Sequence, residues 1–226
     1  MAASMSIHRS FQGILASSSA FIDLPRFYGP APIHHALLSG DTTTGVTVQS
    51  LHPTKFDQGK ILARSEEIPI STTSTYDLLY KRLADVGADL LLNVLQSRTF
   101  ESEGLLPIHE AKYAPKVSKE DQVIKWDEWD IKTFNRHAQA FRNLYCHLGC
   151  QNLRMFKLSG FEISHLQQDD IGSHEPGSFR HRNREMVISL NDGEVVVKNV
   201  QPEGKTWVAG CDWVRGWHGG AGGVFT

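Results

Sequence analysis

Hydrophobic positions along the chain follow two rhythms. Leu79, Leu83, Val86, Leu90 and Val94 recur at steps of four, three, four and four, which predicts an amphipathic helix from about Thr75 to Gln96 with Ser74 as N-cap and Asp77 in its first turn. Ahead of it, the β-branched run at 45–51 (GVTVQSL) and the shorter one at 60–64 (KILAR) predict strands, separated by a loop at 52–59 that contains Pro53 and Gly59. Weak periodicity and several acids at 97–110 suit a linker. Beyond it, Ile131, Phe134, Ala138, Phe141 and Tyr145 form a second helical stripe, with Asp130 as N-cap. Strands follow at 153–158 and 161–166 around a Ser159-Gly160 turn, then at 186–190 and 194–200 around Asn191-Asp192-Gly193. Short antiparallel strands at this spacing predict a small barrel, and the glycine-rich end at 219–226 predicts a flexible tail.

Composition narrows the classes. With 226 residues, 40% hydrophobic and 21% charged, the chain has the balance of a soluble protein of one large or two small domains. No apolar run reaches the roughly 18 residues that a membrane span needs. Three Cys give neither a disulfide framework nor a paired metal knuckle. The 23 Lys+Arg against 25 Asp+Glu exclude a chain-wide basic field, so nucleic-acid binding requires local patches. Residues 1–22 stand apart: they lack Asp and Glu, carry Arg9 as their one basic residue beside six Ser, and form an amphipathic helix if helical. That pattern fits an organelle transit peptide, and equally a frayed terminus.

Few side chains suggest chemistry on their own. Asp57 sits in an Asp-x-Gly turn after a strand. His34-His35 read as the polar face of a helix. Cys146 and Cys150 stand one helical turn apart, but further ligands are missing and small buried thiols are the simpler reading. Arg180, Arg182 and Arg184 line one face of an extended strand, where they contact phosphates or protect a solvated edge.

Longer strings carry a resemblance. Leu24-Pro25, then 29–41 (GPAPIHHALLSGD), 44–48 (TGVTV) and 56–62 (FDQGKIL) resemble methionyl-tRNA formyltransferases. The likeness continues through 113–117 (YAPKV), 124–126 (IKW), 176–179 (PGSF), 200–205 (VQPEGK) and 214–216 (VRG), and the Lys55-Phe56-Asp57 loop looks like the mitochondrial branch. The resemblance implies an α/β remnant of a Rossmann-like formyltransferase domain at 24–97, a linker at 98–111 and an OB-like β-barrel C-terminal domain at 112–218. Residues 1–23 are left as a transit or unrelated segment. It implies a soluble monomer of the mitochondrial matrix that moves a formyl group from 10-formyltetrahydrofolate to initiator methionyl-tRNA, without a metal.

Carried over residue by residue, the resemblance makes Asp57 the catalytic aspartate, orienting and supporting a catalytic His. The family's Asn and His positions, counted back from Pro25, fall on Ser18 and Ala20, and neither side chain replaces the original. Tyr28 stands where the family usually has Arg, and Gln139 where it often has Arg. The expected tRNA contacts are Arg180, Arg182, Arg184, Lys198, Lys205 and Arg215, in a region whose 15 Lys+Arg and 14 Asp+Glu nearly cancel. The family's residues before Leu24 carry the first strands of its parallel sheet. Two further expectations therefore stand beside the enzyme: a tRNA-binding remnant without chemistry, and an incomplete product of a full gene.

Overall fold

The computed structural model describes residues 26–50, 54, 57, 59–99, 104–105, 111–148, 154–164, 175–218 and 222–226. Two compact units divide the chain, Met1–Val117 and Ser118–Thr226. No helix among the described residues is long and apolar enough to cross a membrane.

The first unit opens with β1 (Phe27–Tyr28) and α1 (Pro32–Ser39), which starts on a proline and stops at Gly40 with φ 73°. Four short strands follow: β2 (Thr43–Thr44), β3 (Thr47–Gln49), β4 (Ile61–Arg64) and β5 (Ile68–Pro69). The pairs β2–β5 and β3–β4 are antiparallel, so β3 meets a returning neighbour rather than a parallel one. Helix α2 (Tyr76–Ser97) then lays Leu79, Leu83 and Val94 into the core, with Val94 against Val48 and Leu62. Its cap is Thr75, whose side chain accepts from the Leu78 N–H, and not Ser74, which accepts instead from the Ser71 N–H. The unit closes with β6 (Lys112–Tyr113), parallel to β1 in the register Tyr28↔Tyr113. Lys112–Tyr113 thus belong to the first unit, not to the second as expected, because their backbone groups complete a ladder on β1.

In the second unit, α3 (Ile131–Ala140) begins at Asp130, which accepts from the Thr133 N–H. It ends sooner than the stripe predicts: Phe141 is its C-cap and Tyr145 lies in β7 (Leu144–Leu148). Five more strands follow, β8 (Arg154–Ser164), β9 (Ser178–Arg182), β10 (Glu185–Ser189), β11 (Glu194–Pro202) and β12 (Val208–Ala209), then α4 (Gly210–Arg215) and β13 (Gly222–Val224). They build one antiparallel sheet in the order β13-β9-β10-β11-β8-β7, with β12 on β11.

Two sequence expectations are overturned here. Ser159-Gly160 is no turn: β8 runs through it, and Ser159↔Asn199 and Phe161↔Val197 keep one register on β11. Gly160 takes φ 69° inside the strand, which explains its turn-like signature. Nor are residues 222–226 a flexible tail. Gly222–Val224 pairs with β9, and His147 and Thr226 exchange two backbone hydrogen bonds of 2.9 Å, joining the sheet's two edges. A Cβ on Gly222 would lie 2.1 Å from the Phe179 carbonyl oxygen, so this glycine serves close strand approach. Phe225 then fills the interior beside Phe156, Phe179 and Trp213.

Candidate functional site

Asp57 is held in the left-handed region, φ 55°, on the path between β3 and β4. Its Oδ2 accepts from the Gly29 N–H at 2.8 Å and its Oδ1 from the Gln49 amide at 3.4 Å. The other end of the Gln49 amide accepts from the Gly59 N–H at 3.2 Å. Gln49 is buried on β3, so a strand residue clamps both ends of the Asp-x-Gly turn. Gly59 is obligatory, since a Cβ there would sit 1.6 Å from the Ser50 carbonyl oxygen. Sequence reasoning missed Gln49; its signal was one amide among the β-branched residues of a buried strand. A carboxylate has about four acceptor directions, and among the described residues these two bonds take up two of them.

Several candidates have structural partners. His34 lies against Tyr76 with ring centroids 4.3 Å apart and planes tilted by 30°, and burial, then neighbouring His35, lowers its pKa. His35 Nε2 lies 3.0 Å from the Pro115 carbonyl oxygen. Cys146 is fully buried on a strand, which pushes its thiol pKa up, and the helical spacing to Cys150 does not apply. Ser18, Ala20 and Cys150 lie outside the described residues.

The basic residues divide. Arg180 and Arg182 both pair with Glu194, a buried carboxylate that sequence reasoning missed. Arg184 does not extend their row, because Asn183 and Arg184 form a two-residue turn with φ 52° and 65°. Lys198 bridges Glu185 at 2.7 Å and Glu162 at 2.9 Å, whose hydrogen bonds raise its pKa. Arg215 pairs with Asp212 at 3.1 Å. Among the described residues, Arg184 and Lys205 have no ion-pair partner.

The comparisons agree with this two-part architecture. The family described as formyl transferase matches residues 20–95, and the formyl transferase C-terminal domain matches 116–218. The methionyl-tRNA formyltransferase of Corynebacterium diphtheriae is 33% identical over 200 residues, covering 85% of this chain and 60% of that protein. The mitochondrial methionyl-tRNA formyltransferase of Homo sapiens is 38% identical over 123 residues, 54% of this chain and 31% of that one. Among solved structures, HypX from Aquifex aeolicus in complex with tetrahydrofolic acid aligns with TM-score 0.60 at 16% identity, covering 84% of this chain and 33% of that one. The N-formyltransferase of Helicobacter canadensis, in complex with folinic acid and dTDP-3-aminofucose, aligns at 0.57 and 19%, covering 80% and 64%. The chain spans about 60% of the length of the bacterial relatives it matches. The two matched formyl transferase domains, at 20–95 and 116–218, together take in most of the chain's length.

Proposed function

We propose that the protein acts in formylation of initiator methionyl-tRNA, with 10-formyltetrahydrofolate as formyl donor and Asp57 as the carboxylate at the reaction centre. The observation that carries this reading is the geometry of Asp57, fixed by the Gly29 N–H at 2.8 Å in a turn that only Gly59 permits. In such a transfer a neutral amine attacks the formyl carbon, a new N–C bond forms, the folate nitrogen leaves, and the amine gives up a proton. A carboxylate held in place orients the group that takes this proton and supports the charge that develops there. For tRNA, Arg184 and Lys205 are the contacts best suited to phosphate, because Arg180, Arg182, Lys198 and Arg215 already meet carboxylates. Mitochondrial relatives and the acid-free first 22 residues support the mitochondrial matrix as location, and the protein is proposed to act as a monomer.

A second reading is favoured by Ala20 and Ser18 at the family's His and Asn positions: a tRNA-binding protein without chemistry. One experiment separates the two. The full chain is incubated with methionyl-tRNA and 10-formyltetrahydrofolate, beside Asp57→Asn and the double variant Ser18→Asn/Ala20→His. Formylation that Asp57→Asn abolishes supports the enzyme, and salt-dependent tRNA binding without formylation by any variant supports the second reading.

A further inference from the structure

Two tyrosines flank the backbone that holds Asp57. Tyr28 and Tyr113 are register partners of the parallel β1–β6 ladder, fixed by the Ala114 N–H on the Tyr28 carbonyl at 2.7 Å and the Lys112 N–H on the Arg26 carbonyl at 3.0 Å. Their ring centroids lie 5.3 Å apart and their planes tilt by 48°, so neither ring covers the other's face. Tyr113 is 60% exposed, although it belongs to a ladder whose flanking residues Phe27 and Ala114 are buried.

The link to Asp57 runs through Gly29. Its N–H donates to Asp57 Oδ2, and a Cβ on it would stand 2.9 Å from Tyr113 Cε2. With φ 116°, Gly29 is compatible with little else, so one residue brings the Asp57 carboxylate and the edge of the Tyr113 ring to the same peptide. We infer that Tyr113, backed by Tyr28, is a stacking platform for an unpaired nucleobase beside Asp57. This rests on the proposed function, in that it names what holds the end of the nucleic-acid substrate near the reacting amine.

The chemistry favours a base of a large substrate over the ring of a small one. Small-ligand sites enclose most of their ligand, whereas this aromatic face is open and one-sided. A face of that kind suits a strand end anchored elsewhere, whose last bases need only a π-surface. Tyr28 places a second ring at the register position opposite Tyr113.

The test uses the full chain, an unstructured oligo(A) RNA and, separately, folinic acid. Affinity is followed by fluorescence anisotropy of labelled RNA, and ring contact by NMR of the tyrosine side chains. The expected result is that oligo(A) perturbs the Tyr113 ring, that Tyr113→Ala weakens binding about tenfold, and that Tyr113→Phe retains it. Circular dichroism confirms that the variants fold, which the exposure of Tyr113 favours. Perturbation by folinic acid alone, or equal RNA affinity of Tyr113→Ala, overturns the inference. RNA stacking in a chain that never formylates overturns the enzyme reading and leaves the platform standing.

Discussion

Arg180 donates through Nη2 to the carboxylate of Glu194, which is only 2% exposed, and through Nη1 to the Ser189 hydroxyl at 2.9 Å. Arg182 approaches the same carboxylate from β9. The carboxylate is therefore what two of the expected phosphate-binding arginines actually hold. Removing one partner of a buried pair leaves the others desolvated and uncompensated. Because the arginines keep some access to water, Glu194→Ala should cost about 2–3 kcal/mol rather than the full buried-pair penalty. Urea denaturation of the second unit measures this, and Glu194→Gln should fall between that variant and the native chain.

The same relationship predicts how the proposed tRNA affinity partitions. Arg184→Ala and Lys205→Ala should each weaken binding and lower the salt slope by about one, since each removes a cation without an ion-pair partner among the described residues. Arg180→Ala should act mainly through stability. Affinities measured across a salt series, beside melting curves, separate the two effects.

At the candidate centre, Asp57→Asn tests chemistry with little change in shape. Asn tolerates the positive φ, so stability should stay within about 0.5 kcal/mol. If Asp57 serves the proposed formyl transfer, the rate should drop at least about a hundredfold, as expected when an acid–base carboxylate becomes an amide. Gly59→Ala should lose the same activity for a different reason, since the added methyl collides with the Ser50 carbonyl and must displace the turn. Amide hydrogen exchange at Ser50, whose N–H donates to the Lys60 carbonyl at 2.9 Å, should accelerate in Gly59→Ala and not in Asp57→Asn.

Phe225 makes the barrel's closure measurable. It is 1% exposed, with ring centroids 4.6 Å from Phe179 and 5.9 Å from Trp213. Phe225→Ala should destabilise the second unit by about 3–5 kcal/mol through lost burial and a residual cavity. A tail without structure would tolerate the change, so an unaltered melting temperature would contradict this closure.

How much of this was legible follows from the range of each interaction. Helix α2 was readable because its stripe repeats within the element, and the β10–β11 hairpin because Asn191-Asp192-Gly193 encodes its own turn. Glu194, Phe225 and Tyr113 were not, since each depends on a partner in another element of the fold. A glutamate opening a strand looks solvent-facing until two arginines from β9 cover it. Glycines before Phe225 look mobile until Phe179 is found where a side chain would stand. At the candidate centre, Asp57 and Gly59 announced a turn locally, while Gln49 and Gly29, which orient the carboxylate, were ordinary residues of a strand and a loop.

All five Trp lie in the second unit, so their fluorescence reads its stability alone, and His137 gives that stability a pH dependence. The His137 ring stacks on Trp129 at 3.8 Å, and its Nδ1 lies 2.8 Å from the Thr133 carbonyl oxygen. Burial lowers its pKa below the ordinary 6.5, outweighing the bond to Thr133 and the charge of Asp121, which act the other way, while Arg136 and Lys125 add to the lowering. Well above pH 6.5 the ring is neutral in both states and contributes no slope. As pH falls below 6.5 the unfolded chain takes up the proton first, so stability decreases, and the loss levels off once pH is below the folded value. Asp130, whose pKa is lowered by its side-chain and backbone bonds to Thr133, acts in a separate window beginning near its ordinary 3.8, where stability again falls with pH. Urea midpoints by Trp fluorescence at pH 7.5, 6.5 and 5.5 should therefore fall slightly over the first interval and more steeply over the second. His137→Phe should flatten the lower step while retaining the stack on Trp129, and a midpoint that rises on acidification would reverse the assignment.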